Sequence, residues 1–195
     1  MRQATARRKT RIRSVLEKRQ PDLTLIMDNI HDPHNVSAVL RSCDAFGVLR
    51  VHLYYTRESF PALGRKSSAS ANKWVEREHH SDGQQLAQRL RGEGLRVLGT
   101  GFPPRAKPLP DWDLTGPTAV VLGNEHRGTS PDLEPYLDGE LYIPMQGMIE
   151  SFNVSVAAGV ILYEAWRQRA ARGMFDRPSL DPYELEELYR QWCRR

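Results

Sequence analysis

Residues 143–157 read Ile-Pro-Met-Gln-Gly-Met-Ile-Glu-Ser-Phe-Asn-Val-Ser-Val-Ala. A short apolar strand, Leu141–Ile143, stops at Pro144, and a loop containing Gly147 follows. Ser151 and Asn153, both good capping residues, then lead into a long apolar helix. A strand end, a pliable loop and a helix N-terminus with free N–H groups therefore meet in one place. Open α/β folds bind ligands at such places. An ordinary buried strand-to-helix turn has the same local pattern, and the rest of the chain has to decide between the two.

Outward from this stretch, strands alternate with helices. Thr118–Gly123 is a strongly apolar strand, short enough to be buried on both faces, and Ser130-Pro131 opens a short helix beyond it. Leu23–Ile30 is a strand, and Asn35 caps a helix that runs through Phe46 to Gly47. Leu49–Tyr55, Trp74–His79 and Leu95–Thr100 read as further strands, with a helix over Ser81–Arg91. Residues 56–73 are small and polar, and residues 101–117 hold five prolines, so both read as irregular. Helices follow from Asn153 to Arg172 and from Asp181 toward Trp192. The pattern is that of an α/β fold with a mainly parallel sheet. Between Val154 and Tyr163 the only polar side chain is Ser155. A helix packed on one sheet face needs a single apolar stripe. The excess points to a second covered surface, met either by other parts of the chain or by a partner subunit, and so favours a homodimer.

The net charge of +4 conceals an asymmetry. The first twenty residues carry eight basic side chains (Arg2, Arg7, Arg8, Lys9, Arg11, Arg13, Lys18, Arg19) against the single acid Glu17, so the remainder is slightly acidic. Thr5–Arg19 can form a basic helix with Ile12, Val15, Leu16 and Arg19 on one side. Such an arm suits a polyanion, most simply a nucleic-acid backbone. The nucleic-acid contacts expected from it are Arg7, Arg8, Arg11, Lys18 and Arg19; a solvated tail is the alternative. Two cysteines, Cys43 and Cys193, make a structural disulfide an unneeded assumption. No apolar run reaches membrane-spanning length, so a cytoplasmic protein without a membrane partner is expected. His31 and His34 lack a ligand set around them, and no metal is expected.

Three segments hold polar residues where packing does not require them: Asn35 to Arg41, the loop Gly123-Asn124-Glu125-His126-Arg127-Gly128, and the opening stretch. Together, in this order and spacing, they resemble the three motifs of the SpoU/TrmH family of SPOUT RNA 2′-O-methyltransferases. The resemblance covers roughly residues 22–172. It divides the chain into a basic helical extension (1–20), a SPOUT methyltransferase domain (21–172) and a C-terminal helical extension (173–195). Both extensions, from Gln20-Pro21-Asp22 and from Phe175-Asp176-Arg177-Pro178, resemble the tRNA-specific branch of that family.

What the resemblance implies is a SPOUT fold with a C-terminal deep trefoil knot, which general rules of chain connection would not have suggested. It implies S-adenosyl-L-methionine as cofactor, a homodimer, and tRNA as partner, methylated on the ribose 2′-OH of the conserved D-loop guanosine at position 18. A ribosomal-RNA methyltransferase of the same family and a catalytically silent RNA-binding module are the alternatives. Cofactor contacts are expected from Thr100, Gly101, Leu122, Gly123, Ile143, Met145 and Phe152. Catalytic positions are Arg41, Asn35, Glu125, Ser151 and Asn153, the last with a compatible capping role. Arg41 either loses a proton transiently or stays cationic; the high pKa of a guanidinium favours the second. Glu150 and Phe152 stand where relatives often carry Gln and Leu, which adds a negative charge and bulk beside the pocket.

Overall fold

The computed structural model describes residues 5–61, 71–124 and 127–195. Its elements in chain order are α1 (Ala6–Leu16), β1 (Leu23–Asp28), α2 (Pro33–Ala45), β2 (Arg50–Tyr54), β3 (Glu76–His80), α3 (Gly83–Gly92), β4 (Arg96–Thr100), β5 (Lys107–Pro108), β6 (Thr118–Leu122), β7 (Gly139–Tyr142), α4 (Val154–Ala171) and α5 (Pro182–Arg194). The seven strands form one sheet in the order β3-β2-β1-β6-β4-β7-β5, and every pairing is parallel. All six residues of β1 and all five of β6 are buried, as a strand covered on both faces must be.

Alternation along the strands divides the core in two. Leu25, Met27, Val51, Leu53, Leu98, Val120 and Leu122 face α2 and α4, where Val36, Leu40, Ala158, Ile161 and Ala165 meet them. Ile26, Tyr54, Val97, Ala119 and Val121 face the other way, onto Leu86 and Leu90 of α3. A third cluster lies outside the sheet. Ile12 and Leu16 of α1 pack on Leu185, Leu188 and Trp192 of α5, so the two ends of the chain clasp each other. Arg13 reinforces the clasp, bonding Glu186 at 2.5 Å while its guanidinium lies 4.3 Å from the Tyr189 ring centre.

Two arginines are enclosed. Arg169, in the last turn of α4, donates to the carbonyls of Leu114 and Gly116, to Gln20 Oε1, and to Asp22 Oδ1 at 2.6 Å. Arg19 is 0 % exposed: it reaches Asp44 Oδ1 at 2.5 Å and the Val48 carbonyl at 2.9 Å, and its guanidinium lies beside Trp192. The expected RNA contact at Arg19 is therefore corrected. It follows three residues after the end of α1 and turns inward on the same side as Ile12 and Leu16, which is buried.

Several local expectations also shift. Asp32, not Asn35, caps α2: its side chain accepts from the His34 N–H, and Pro33 takes the first helical position. Asn35 is released from capping for other work. Ser130 opens no α-helix; its N–H and hydroxyl both donate to the buried Asp28 carboxylate, at 2.5 and 2.6 Å. Within the proline-rich stretch, residues 107–108 pair with β7 as the short edge strand β5. Asn153 caps α4 as expected, accepting from the Ser155 N–H at 2.9 Å. Burial pushes the Cys43 thiol up, leaving it a small apolar core residue.

Candidate active site

Because β6, β4 and β7 are adjacent and parallel, the loops that leave Leu122, Thr100 and Tyr142 emerge side by side from one end of the sheet. The loop after β6 is built by two glycines. Asn124 and Gly128 exchange backbone hydrogen bonds, each 2.9 Å long, which closes residues 124–128 into a tight ring. Gly128 has φ +69°, a conformation that favours glycine. A Cβ on Gly123 would lie 2.4 Å from the Gly128 carbonyl carbon, so the ring folds back where only glycine leaves room. The Asn124 side chain then donates to the Asn29 carbonyl at 2.7 Å, fixing the ring to the end of β1. Glu125 lies outside the described residues.

Asn29 is the organiser that sequence reading missed. It sits at φ 49°, 1 % exposed. Its Oδ1 accepts from the N–H groups of Thr56, Arg57 and Glu58, and its Nδ2 donates to Asp28 Oδ1 at 2.8 Å. One side chain thereby ties together the loops after β1 and β2, while Asp28 holds Ser130 beyond β6. The available signal was an Asp-Asn pair directly after an apolar strand and before a Pro-containing turn. Glu58 extends the cluster outward, pairing with His31 Nδ1 at 2.8 Å and Arg127 at 2.5 Å.

The opening stretch lies across this end of the sheet. Ile143 packs against the core, Met145 is half-buried, and Phe152 is 38 % exposed. Met148 and Ile149 are both exposed, Met148 almost fully. Among the described residues, no backbone hydrogen bond ties residues 144–152 to the rest of the chain. Asn153 Nδ2 donates to Asn35 Oδ1 at 3.0 Å, joining the N-terminus of α4 to the first turn of α2. Ser151 is exposed next to that junction.

Arg41 is six residues beyond Asn35 on the same helix, about 9 Å along the axis. It is exposed and makes no hydrogen bond or ion pair among the described residues. The helices cross beside it, with Gly159 of α4 opposite Ser42. The structure thus brings Asn35 and Asn153 into contact and collects residues 100–101, 122–123 and 143–145 at one sheet end. Two expectations narrow. The Leu122 side chain is 1 % exposed and belongs to the core, so only its backbone can meet a ligand. The Thr100 hydroxyl donates to the Val121 carbonyl at 3.1 Å and the Gly101 N–H to the Leu141 carbonyl at 2.9 Å, so both donors are spent inside the sheet.

The basic arm lines a separate cleft of about 1030 Å³, in which Arg7, Arg8, Arg11 and Lys18 face Phe46, Trp166 and Phe175. Thr5 caps the arm helix, and Lys18 donates to the Phe175 carbonyl. Cations interleaved with aromatic rings suit a backbone of phosphates carrying stackable bases.

Comparison with known proteins agrees with this geometry. The profile of the SpoU rRNA Methylase family matches residues 22–163. The tRNA (guanosine(18)-2′-O)-methyltransferase of Thermus thermophilus is 43 % identical over 195 residues, the whole of both chains. The protein of that name from Aquifex aeolicus is 39 % identical over 187 residues, 96 % of this chain and 89 % of its own. The crystal structure of the A. aeolicus TrmH/SpoU tRNA modifying enzyme superposes with a TM-score of 0.90 at 38 % identity, covering 96 % of this chain and 95 % of that one. The SpoU methyltransferase AviRb from Streptomyces viridochromogenes, solved with AdoMet, superposes at 0.63 with 28 % identity, covering 80 % of this chain and 62 % of that one. From the glycine ring after β6 to the helix that begins at Asn153, this chain belongs to the SpoU rRNA Methylase family.

Proposed function

We propose that this chain transfers a methyl group from S-adenosyl-L-methionine to the ribose 2′-OH of guanosine 18 in tRNA. The observation that carries the proposal is the convergence of all three motif segments on one end of the sheet, in a chain similar over its whole length to enzymes named for that reaction. The cofactor, when bound, supplies an activated methyl on a sulfonium centre. The donor set fits it. A purine needs hydrogen-bond partners at its edge and apolar contact at its faces; the backbone of residues 144–152, which makes no backbone hydrogen bond to the rest of the chain among the described residues, would offer the first, and Ile143, Met145 and Phe152 the second. Gly123 and the carbonyls at Thr100 and Leu122 would complete the wall.

Given an activated donor, the protein must align the reacting groups and manage the proton of the hydroxyl. Asn35, Ser151 and Asn153 would orient the ribose, with Asn153 held by its bonds to Asn35 and Ser155. Arg41 holds a phosphate and stabilises negative charge as it develops on the 2′-oxygen. Its exposure and lack of a partner among the described residues support that role. Glu125 is assigned to the same pocket from its place in the motif alone. The chain works as a homodimer in the cytoplasm. Support for the dimer comes from the stripe Val156, Tyr163 and Trp166, exposed along α4 while the opposite side of that helix is core. A monomer on sedimentation would remove that part. A knotted C-terminal half is supported by β7, which pairs with β4 on one side and β5 on the other and is thus inserted between strands that precede it in the chain.

The test is to map methylated riboses on tRNA after incubation with the cofactor. Methylation confined to guanosine 18 is expected, and preference for ribosomal-RNA fragments would select the other branch of the family. Replacing Arg7, Arg8 and Arg11 together by Gln should weaken tRNA binding and lower the slope of log K against log salt by about 2–3, at roughly 0.7–0.9 per phosphate contact. Cofactor affinity by calorimetry should stay unchanged; a large change would break the separation between arm and pocket.

A further inference from the structure

On the α3 side of the sheet, the register of β2 and β3 sets His52 opposite Glu78 and Tyr54 opposite His80. Alternation places His52, Glu78 and His80 on one face, beneath α3. His52 Nδ1 lies 3.0 Å from His80 Nε2, and Glu78 Oε2 lies 3.9 Å from each. We propose that these three atoms form a binding site for a divalent transition metal such as Zn²⁺, with a water completing the set.

The separations support it. Tetrahedral zinc with bonds of about 2.0–2.1 Å holds its ligand atoms roughly 3.3 Å apart. The observed distances lie on either side of that value, so small side-chain rotations close the shell. All three ligand atoms fall within 4.8 Å of one another. Two imidazoles and one carboxylate are a donor set that selects zinc and its neighbours over Mg²⁺ or Ca²⁺, which take oxygen. His52 is 1 % exposed, so its ring is enclosed, and the site opens only past His80 and Glu78. Glu78 Oε2 is itself buried, with Arg89 as its ion-pair partner at 2.8 Å.

Two cations compete. Arg50 Nε sits 3.1 Å from Glu78 Oε1, and Arg89 lies 2.8 Å from Oε2 while donating its hydrogen bond to Oε1. Each has a second carboxylate within reach, Glu76 for Arg50 and Glu93 for Arg89. Arg89 is 43 % exposed and can move aside onto Glu93. An incoming metal therefore displaces one solvent-facing arginine, and removing that arginine must tighten the metal. Reading along the chain could not find this site, because His52 lies 28 residues before His80 and meets it and Glu78 only through strand pairing. Its place at the β3 edge, three strands from β6, separates it from the methyl-transfer pocket and suggests a clamp on the sheet edge.

The experiment is titration of the chelator-treated full chain with Zn²⁺ by calorimetry and with Co²⁺ by visible absorption. Expected are one site per chain, a Co²⁺ d–d spectrum free of thiolate charge transfer, and a melting temperature that rises with Zn²⁺. His80→Gln should weaken binding by about 10–100-fold or more. Arg89→Gln leaves all three ligands in place and should tighten binding. No binding to the wild-type chain, a thiolate band, equal affinity in His80→Gln, or weaker binding in Arg89→Gln would each overturn the proposal.

Discussion

The Arg41→Ala variant is expected to lose on the order of 10²–10³-fold in kcat, the cost of removing one preorganised donor that stabilises developing charge. Arg41 has no partner among the described residues and is exposed, so its loss removes no packing. Surface changes of that kind shift stability by only about 0.5 kcal/mol. Thermal melting and cofactor binding should therefore match the wild-type chain. The activity loss would belong to the reaction itself and not to the fold. Arg41→Lys should recover part of the rate, since an ammonium keeps the charge without the planar fork. Single-turnover methylation of a tRNA transcript measures both variants. Wild-type turnover by Arg41→Ala would exclude the assigned role.

Arg169→Ala should cost about 3–5 kcal/mol of folding stability, the usual effect of breaking a buried ion pair from one side. Four groups lose their donor at once: the Leu114 and Gly116 carbonyls, Gln20 and Asp22. They come from the segment before β1, the segment before β6 and, through the hydrogen bond of Gln20 to Ser179, the C-terminal tail. The arginine also sits in the last turn of α4, where a positive charge favours the helix dipole. Arg169→Lys should remain well below the wild type, because one ammonium cannot reach four acceptors spread in a plane. Urea unfolding reports the difference as a lower midpoint with an unchanged slope. An unshifted midpoint would show that water replaces these bonds without loss.

Strands β1, β2, β4 and β6 were legible because they are short, largely apolar runs bounded by turn residues, and the Asn153 helix because its cap and apolar length agree. The ends of elements were less legible where two capping signals competed. Asp32-Pro33 lies three residues before Asn35, and the proline decides, since it needs no hydrogen bond at that position. At the site, Asn35 and Asn153 could be named from the motifs, and they do touch. What escaped was the work of Asp28, Asn29, Asn124 and Ser130, whose bonds run between strands about 100 residues apart. Arg19 was misjudged for the opposite reason. Its neighbours in sequence are basic, whereas its neighbours in space are Asp44 and Trp192.

The place of β7 bears on how the chain is made. Its partners β4 and β5 leave the ribosome first, and 42 residues separate Thr100 from Tyr142. At roughly 5–20 residues per second that interval lasts about 2–8 s. Throughout it the outer edge of β4 exposes unpaired backbone to every other nascent chain nearby. The apolar stretch Val97-Leu98 lies on that edge and will sit beneath the finished core. Until residues 139–142 are made, that edge of the sheet therefore cannot close.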